Sequence, residues 1–105
     1  MNILEMHEKA TEAAIKATNE FIRENGETPY CGFAWVKIYA DGRSKFGKEL
    51  IKSGFASKAW DSGYDVWNPS KNGTQSMEAK EQGAMAYAEV MRANGVKAYA
   101  QSRAD

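Results

Sequence analysis

Three aromatic side chains stand close together in the sequence, immediately before a polar loop. Trp60, Tyr64 and Trp67 would supply flat apolar walls. The loop that follows supplies hydrogen-bonding side chains, namely Asn68, Asn72, Thr74, Gln75 and Ser76. Apolar walls with a few polar groups are typical of a binding pocket for a ligand or partner. The more ordinary interpretation is that the aromatic residues fill a small core while the polar residues form turns and a helix cap.

A second set of residues is basic. Residues 31–58 contain six basic and two acidic side chains, and the basic ones are Lys37, Arg43, Lys45, Lys48, Lys52 and Lys58. Basic groups neutralise phosphates and aromatic rings stack on bases, so this segment is a candidate for binding nucleic acid or another phosphate-bearing ligand. Against this, a basic stretch in a chain of zero net charge is usually a solvated face.

Within the basic segment, residues 42–48 have the spacing of a phosphate-binding loop. That loop needs a Ser or Thr hydroxyl after its Lys to bind magnesium, and Glu49 occupies this position. We therefore interpret the segment as an Asp-Gly turn followed by a solvated helix.

Catalytic patterns are sparse. One His and one Cys cannot supply the three or four ligands of a usual zinc site, and we expect no cofactor or metal. His7 lies between the apolar stripes of a helix, and the apolar neighbours of Cys31 would not activate its thiol. A small enzyme is therefore the second alternative, after nucleic-acid binding, to a non-catalytic binding module.

Length and composition favour one domain covering residues 1–105. The chain has 14 basic and 14 acidic residues and 43% hydrophobic residues, which is ordinary globular usage. No apolar run is long enough to span a membrane and no secretory signal is visible, so we expect a cytoplasmic location without membrane contact. A single Cys fits a reducing compartment.

Hydrophobic patterning predicts the elements that must position these residues. Helices are expected over 2–25, 44–53 and about 76–93, and strands over 33–40, 55–60, 64–67 and 96–101. A helix (1–26) followed by the order βαββαβ (30–105) predicts an α+β, ferredoxin-like antiparallel sheet with an additional N-terminal helix.

Two of these elements have more apolar surface than one contact requires. The first helix carries two apolar stripes, which predict two contacts, with a sheet and with a second helix or subunit. We expect it to cover the second face of the sheet or to form a homodimer. The strand over 33–40 is apolar on both sides, so it is either covered on both faces or uses its aromatic face for binding.

The amino-acid sequence of the last two-thirds of the chain resembles that of a family of small tailed-bacteriophage proteins. The resemblance rests on five segments, at 44–48, 54–58, 67–70, 74–81 and 102–105. It implies an accessory protein made in the cytosol of the host, of a kind that often binds a host factor or a signalling molecule. A host protein is the partner that we expect. No catalytic or binding residue is transferred by this resemblance.

Overall fold

Seven elements follow one another in the order that the patterning predicts. The computed structural model describes residues 2–105. Its helices are α1 (Ile3–Asn25), α2 (Lys45–Ser53) and α3 (Met77–Ala93), and its strands are β1 (Gly32–Tyr39), β2 (Ser57–Lys58), β3 (Tyr64–Trp67) and β4 (Lys97–Ala104). The α+β class with a four-stranded antiparallel sheet is confirmed.

Each helix begins at a side chain that accepts a hydrogen bond from the first turn. Asn2 accepts from the Glu5 N–H at 2.9 Å, and its side-chain amide donates to the Glu5 carboxylate at 2.9 Å. Ser44 caps α2 and Ser76 caps α3 in the same manner. These polar residues fix where the helices begin.

The four strands form one open sheet in the order β2-β3-β1-β4, with every neighbouring pair antiparallel. The register places Trp35 opposite Trp67 on one side and opposite Gln101 on the other. Lys37 lies between Asp65 and Tyr99 in the same way. The central strand therefore brings together residues from β3 and β4 that are far apart in the sequence.

Two strand boundaries differ from the predicted ones. The predicted strand over 55–60 is reduced to Ser57–Lys58, because Phe55 stacks on the His7 ring and Ala59 donates its N–H to the Gly63 carbonyl. β4 continues to Ala104, because it pairs with β1 along its whole length. The apolar alternation that predicts strands ends before this polar terminal stretch.

The hydrophobic core lies on one face of the sheet only. Ala34, Val36 and Ile38 of β1 point into it and are almost completely buried. Each of the three helices contributes buried apolar residues to this same cluster. Within residues 2–105, no helix covers the opposite face.

The expectation that α1 covers the second face is therefore wrong. Ala10 and Ala14 of α1 are completely buried, and Thr18 donates to the Ala79 carbonyl of α3 at 2.8 Å. These small side chains let α1 pack closely beside α3, on the side of the sheet that α3 already covers. The second stripe of α1 is left partly exposed at Leu4 and Ile15. The homodimer stays a prediction.

None of the helices described over residues 2–105 has the length and apolar character needed to cross a membrane.

Candidate functional site on the open sheet face

The uncovered face of the sheet, here called the open face, carries aromatic and charged side chains from its three longer strands. Strand alternation and register assign ten residues to it: Phe33, Trp35, Lys37, Tyr39, Asp65, Trp67, Lys97, Tyr99, Gln101 and Arg103. An exposed apolar patch with a polar rim is a typical interaction surface.

Three aromatic rings lie in contact at one end of the open face, and we call them the aromatic row. The Trp35 and Trp67 rings stack with centroids 5.5 Å apart and planes 16° apart, and Phe33 lies 5.7 Å from Trp67. The Trp35 indole N–H donates to Gln101 at 3.0 Å, which fixes the orientation of this ring. Trp67 remains 57% exposed, so the row is open to solvent at this ring.

A second aromatic pair lies at the other end of the face. Tyr39 and Tyr99 are both exposed, and their ring centroids are 6.2 Å apart. Arg92 lies over the Tyr99 ring at 5.6 Å and is held there by a 2.7 Å hydrogen bond to the Ala98 carbonyl. The open face therefore has aromatic contacts at both ends.

Cations lie beside the aromatic row and at the far end of the open face. Arg103 lies 5.9 Å and Lys80 lies 5.4 Å from the centroid of the Phe33 ring. Lys80 also donates to the Gly32 carbonyl at 3.0 Å, which positions its ammonium group beside the row. Lys97, opposite Tyr39, adds a further positive charge at the far end.

The centre of the open face holds Lys37 between two carboxylates. The Lys37 ammonium donates to Asp61, and this hydrogen bond raises the pKa of Lys37 and lowers the pKa of Asp61. Burial raises the pKa of Asp65, whose Oδ1 has no hydrogen-bond partner within residues 2–105. Lys37 is only 3% exposed, although it lies on a face that no helix covers.

A small cavity adjoins the exposed ring of Trp67. It has a volume of about 190 Å³, and its lining includes Phe33, Trp67, Asn68, Asn72, Thr74 and Lys80. The Asn68 side chain donates to the Asn72 carbonyl, and its backbone has a positive φ of 44°. Four of the residues predicted for ligand or partner binding are thus brought together here.

The other predicted aromatic and loop residues lie elsewhere. Tyr64 is buried on the core side of the sheet, because it stands an odd number of positions from Trp67 in the same strand. Trp60 is 97% exposed in the β2–β3 turn. Gln75 lines a neighbouring cavity beside Cys31, and the buried Ser76 acts as the α3 cap and bonds to Thr28.

The aromatic wall is thus built from different residues than those predicted. Phe33 and Trp35 take the places beside Trp67 that the sequence assigned to Trp60 and Tyr64. In the sequence, the aromatic side of the strand predicted over 33–40 indicated these two residues.

The predicted basic segment does not lie on the open face as a whole. Only Lys37 lies on the open face, whereas the others lie on α2, on β2 or in the turn before α2; they are Arg43, Lys45, Lys48, Lys52 and Lys58. In that turn, Asp41 accepts hydrogen bonds from the N–H groups of Arg43 and Ser44, and Ser44 accepts from Gly47. These three amides are therefore already paired and are not available to a phosphate.

His7 is packed among aromatic residues on the core side. Its Nδ1 lies 2.7 Å from the Tyr87 hydroxyl, and its ring stacks on Phe55 at 3.9 Å. Burial lowers the pKa of His7, which favours the neutral ring. No group of three or more His, Cys, Asp or Glu side chains within residues 2–105 is arranged to hold a metal ion.

No protein-family model, curated protein or solved structure matches this chain. The side chains on the open face are therefore the evidence for what this protein can bind. That face can stack flat rings on Trp67 and Trp35 and can attract anionic groups to Arg103, Lys80 and Lys97.

Proposed function

We propose that this protein is a non-catalytic binding module that binds single-stranded nucleic acid on the open face of its sheet. The aromatic row of Phe33, Trp35 and Trp67, exposed on a face without a covering helix and flanked by cations, carries this proposal. It develops the predicted nucleic-acid alternative but moves the contacts from the 37–58 segment to the sheet.

The pairing of ring and cation favours a nucleic acid over a purely apolar ligand. Bases stack on Trp and Phe whatever their sequence, while the backbone phosphates require positive charge within reach of the same rings. Arg103 and Lys80 both lie within 6 Å of the Phe33 ring. A base on the aromatic row would therefore place its flanking phosphates close to these two side chains.

The bases of a duplex are stacked in its interior and would not reach the row. A single strand can turn successive bases onto an aromatic platform, so it fits the geometry better than a duplex does. The proposed ligand is a single strand of DNA or RNA, and the 2′-hydroxyl distinguishes the two.

The finer fold class is also a proposal, namely a ferredoxin-like arrangement. It is supported by the position of β3 between β1 and β2, which are both antiparallel to it and hence parallel to each other, as in a split βαβ unit. A phage origin and a cytosolic host protein as partner rest on the sequence resemblance alone.

Binding of fluorescently labelled oligonucleotides tests the proposed function. We expect dT12 or U12 to bind the wild-type protein, with a duplex of the same length binding more weakly. Trp67→Ala should lower the affinity by roughly 5-fold to 150-fold, because stacking of one base contributes about 1–3 kcal/mol. Anisotropy at low salt measures both effects, and the ratio between dT12 and U12 reports which sugar is preferred.

Ile51→Ala provides the matched control. Ile51 is a similarly exposed apolar side chain, but it lies on α2 and away from the open face. The control variant should bind like the wild type. The proposal is wrong if neither oligonucleotide binds, or if Trp67→Ala binds as tightly as Ile51→Ala; a host protein that loses binding with Trp67→Ala would then replace nucleic acid as the ligand.

A further inference from the structure

The turn between β2 and β3 lies against the centre of the open face. We call residues 59–63 the strap. Asp61 in the strap accepts hydrogen bonds from Lys37 of β1 and from its neighbour Ser62. Gly63 lies so close to β1 that a Cβ atom there would be 2.6 Å from the Ile38 carbonyl oxygen. The strap thus connects an edge hairpin to the central strand.

The hydrogen bond between Asp61 and Lys37 occupies an ammonium group that a nucleic-acid phosphate would otherwise contact. Lys37 is the one basic residue in the middle of the open face, between the aromatic row and the Tyr39–Tyr99 pair. Its side chain is only 4% exposed, whereas that of Asp61 is 48% exposed. A phosphate that bound the Lys37 ammonium group would compete with the Asp61 carboxylate, which already accepts a hydrogen bond from it.

We propose that the strap is an intramolecular competitor, in which Asp61 holds Lys37 until a backbone phosphate of the single strand displaces it. This inference rests on the proposed function and concerns the regulation of the same surface. On binding, the strap moves off Lys37 and carries the adjacent Trp60 with it.

The strap is held by a small number of contacts. Ala59 is buried, Gly63 lies against β1, and one backbone hydrogen bond closes the turn, from the Ala59 N–H to the Gly63 carbonyl at 3.0 Å. Trp60, at 97% exposed, contributes almost no packing to the closed position. Segments with few buried contacts open at low cost in free energy, which is the behaviour that a displaceable strap requires.

The decisive comparison is between Asp61→Asn and Asp65→Asn. Both variants remove one negative charge next to Lys37, but only Asp61 is bonded to it. We expect Asp61→Asn to bind dT12 about threefold to fivefold more tightly than the wild type, which is the range for a partly exposed ion pair. Asp65→Asn should give a clearly smaller gain, which measures the general effect of removing a charge.

A double-mutant cycle with Lys37→Gln separates release of Lys37 from general electrostatics. In the Lys37→Gln background, the gain from Asp61→Asn should fall to that of Asp65→Asn. Equal gains for the two Asn variants, or a gain from Asp61→Asn that persists without Lys37, would overturn the strap while leaving nucleic-acid binding intact.

Hydrogen exchange of the wild-type protein gives a direct second measurement. Saturation with dT12 should speed the exchange of the Ala59 amide, because its hydrogen bond to Gly63 breaks when the strap moves. Slower exchange would contradict the inference. If neither the wild type nor Asp61→Asn binds any oligonucleotide, the strap and the proposed function both fail; binding by Asp61→Asn alone would indicate a strap that stays closed.

Discussion

His7 shows how one titratable side chain can serve packing in this protein. The ring contacts the Tyr87 hydroxyl and the Phe55 ring, so it links α1 to α3 and to the segment after α2. Burial is the main reason that its pKa lies below 6.5; Lys71 lowers it further and Glu8 opposes this effect. Protonation of His7 is therefore less favourable in the folded state than in the unfolded state.

This difference predicts a loss of stability at mildly acidic pH. Below about pH 6.5 the unfolded chain takes up a proton at His7 that the folded protein still excludes. The free energy of unfolding should therefore fall as the pH decreases from 7.5 to 5.5, and the His7 contribution levels off below the folded-state pKa. Urea unfolding at several pH values measures this slope.

His7→Asn and His7→Phe provide the controls. Asn keeps a polar atom near Tyr87, Phe keeps a ring against Phe55, and neither side chain titrates. Both variants should have a flatter pH profile than the wild type over this range. The raised pKa of Asp65 also makes the free energy of unfolding depend on pH. Asp65 is present in all three proteins, so its effect cancels when their pH profiles are compared. A slope equal to that of the wild type in both variants would show that His7 is not its source.

The candidate site was only partly predictable from its residues. Trp67, Asn68, Asn72 and Thr74 are near one another in the sequence and do line one cavity. Phe33 and Trp35 reach Trp67 only through the β1–β3 register, which pairs residues about 30 positions apart. Sequence patterning gives the side of a strand on which a residue lies but not its partner across the sheet.

Close packing of α1 against α3 depends on the absence of a side chain at Gly83. A Cβ atom at this position would lie 2.5 Å from the Thr18 hydroxyl, 2.9 Å from the Ser70 Cβ and 3.2 Å from the Ala14 carbonyl. Two of these three atoms belong to α1. The glycine therefore sets how near the two helices can approach.

Gly83→Ala should destabilise the protein, although alanine normally favours a helix. Replacing an unhindered helical glycine with alanine stabilises a helix by about 0.5–1 kcal/mol. Here overpacking should reverse the sign and lower the free energy of unfolding by about 1–3 kcal/mol. Gly73→Ala, where no heavy atom lies within 4 Å, should change it by less than about 0.5 kcal/mol. An unchanged or higher stability of Gly83→Ala in urea unfolding would contradict this account.

The helices and strands were easier to predict than the side of the sheet on which they pack. The predicted helix starts at residues 2, 44 and about 76 agree with the structure, in which Asn2, Ser44 and Ser76 are the caps, because capping is a local property. The position of α1 was missed, because a second apolar stripe shows only that a surface is apolar. Leu4 and Ile15 in that stripe stay exposed, while the small residues of the first stripe determine the packing.

The distribution of charge over the folded molecule separates two possible nucleic-acid surfaces. Net charge is zero, so attraction of a polyanion has to come from a local excess of cations. Lys97 and Arg103 lie on the open face, at opposite ends of β4. Lys48 and Lys52 are exposed on α2, within the basic segment that the sequence favoured.

Salt dependence of binding distinguishes these surfaces. If about four phosphates contact the cations of this surface, the logarithm of the affinity for dT12 should fall with the logarithm of salt concentration with a slope near −2.8. These cations are Lys37, Lys80, Lys97 and Arg103. An increase from about 50 to 200 mM salt would then weaken binding roughly 50-fold. A slope near zero would indicate stacking without phosphate contacts.

Two double variants of equal charge change then locate the contacts. Lys97→Gln with Arg103→Gln should make the salt slope shallower by about 1.4, because two phosphate contacts are lost. Lys48→Gln with Lys52→Gln removes the same charge from α2 and should leave the slope almost unchanged. The reverse pattern would place the nucleic acid on α2, where no aromatic row is available, and the strap at Lys37 would then have no phosphate to compete with.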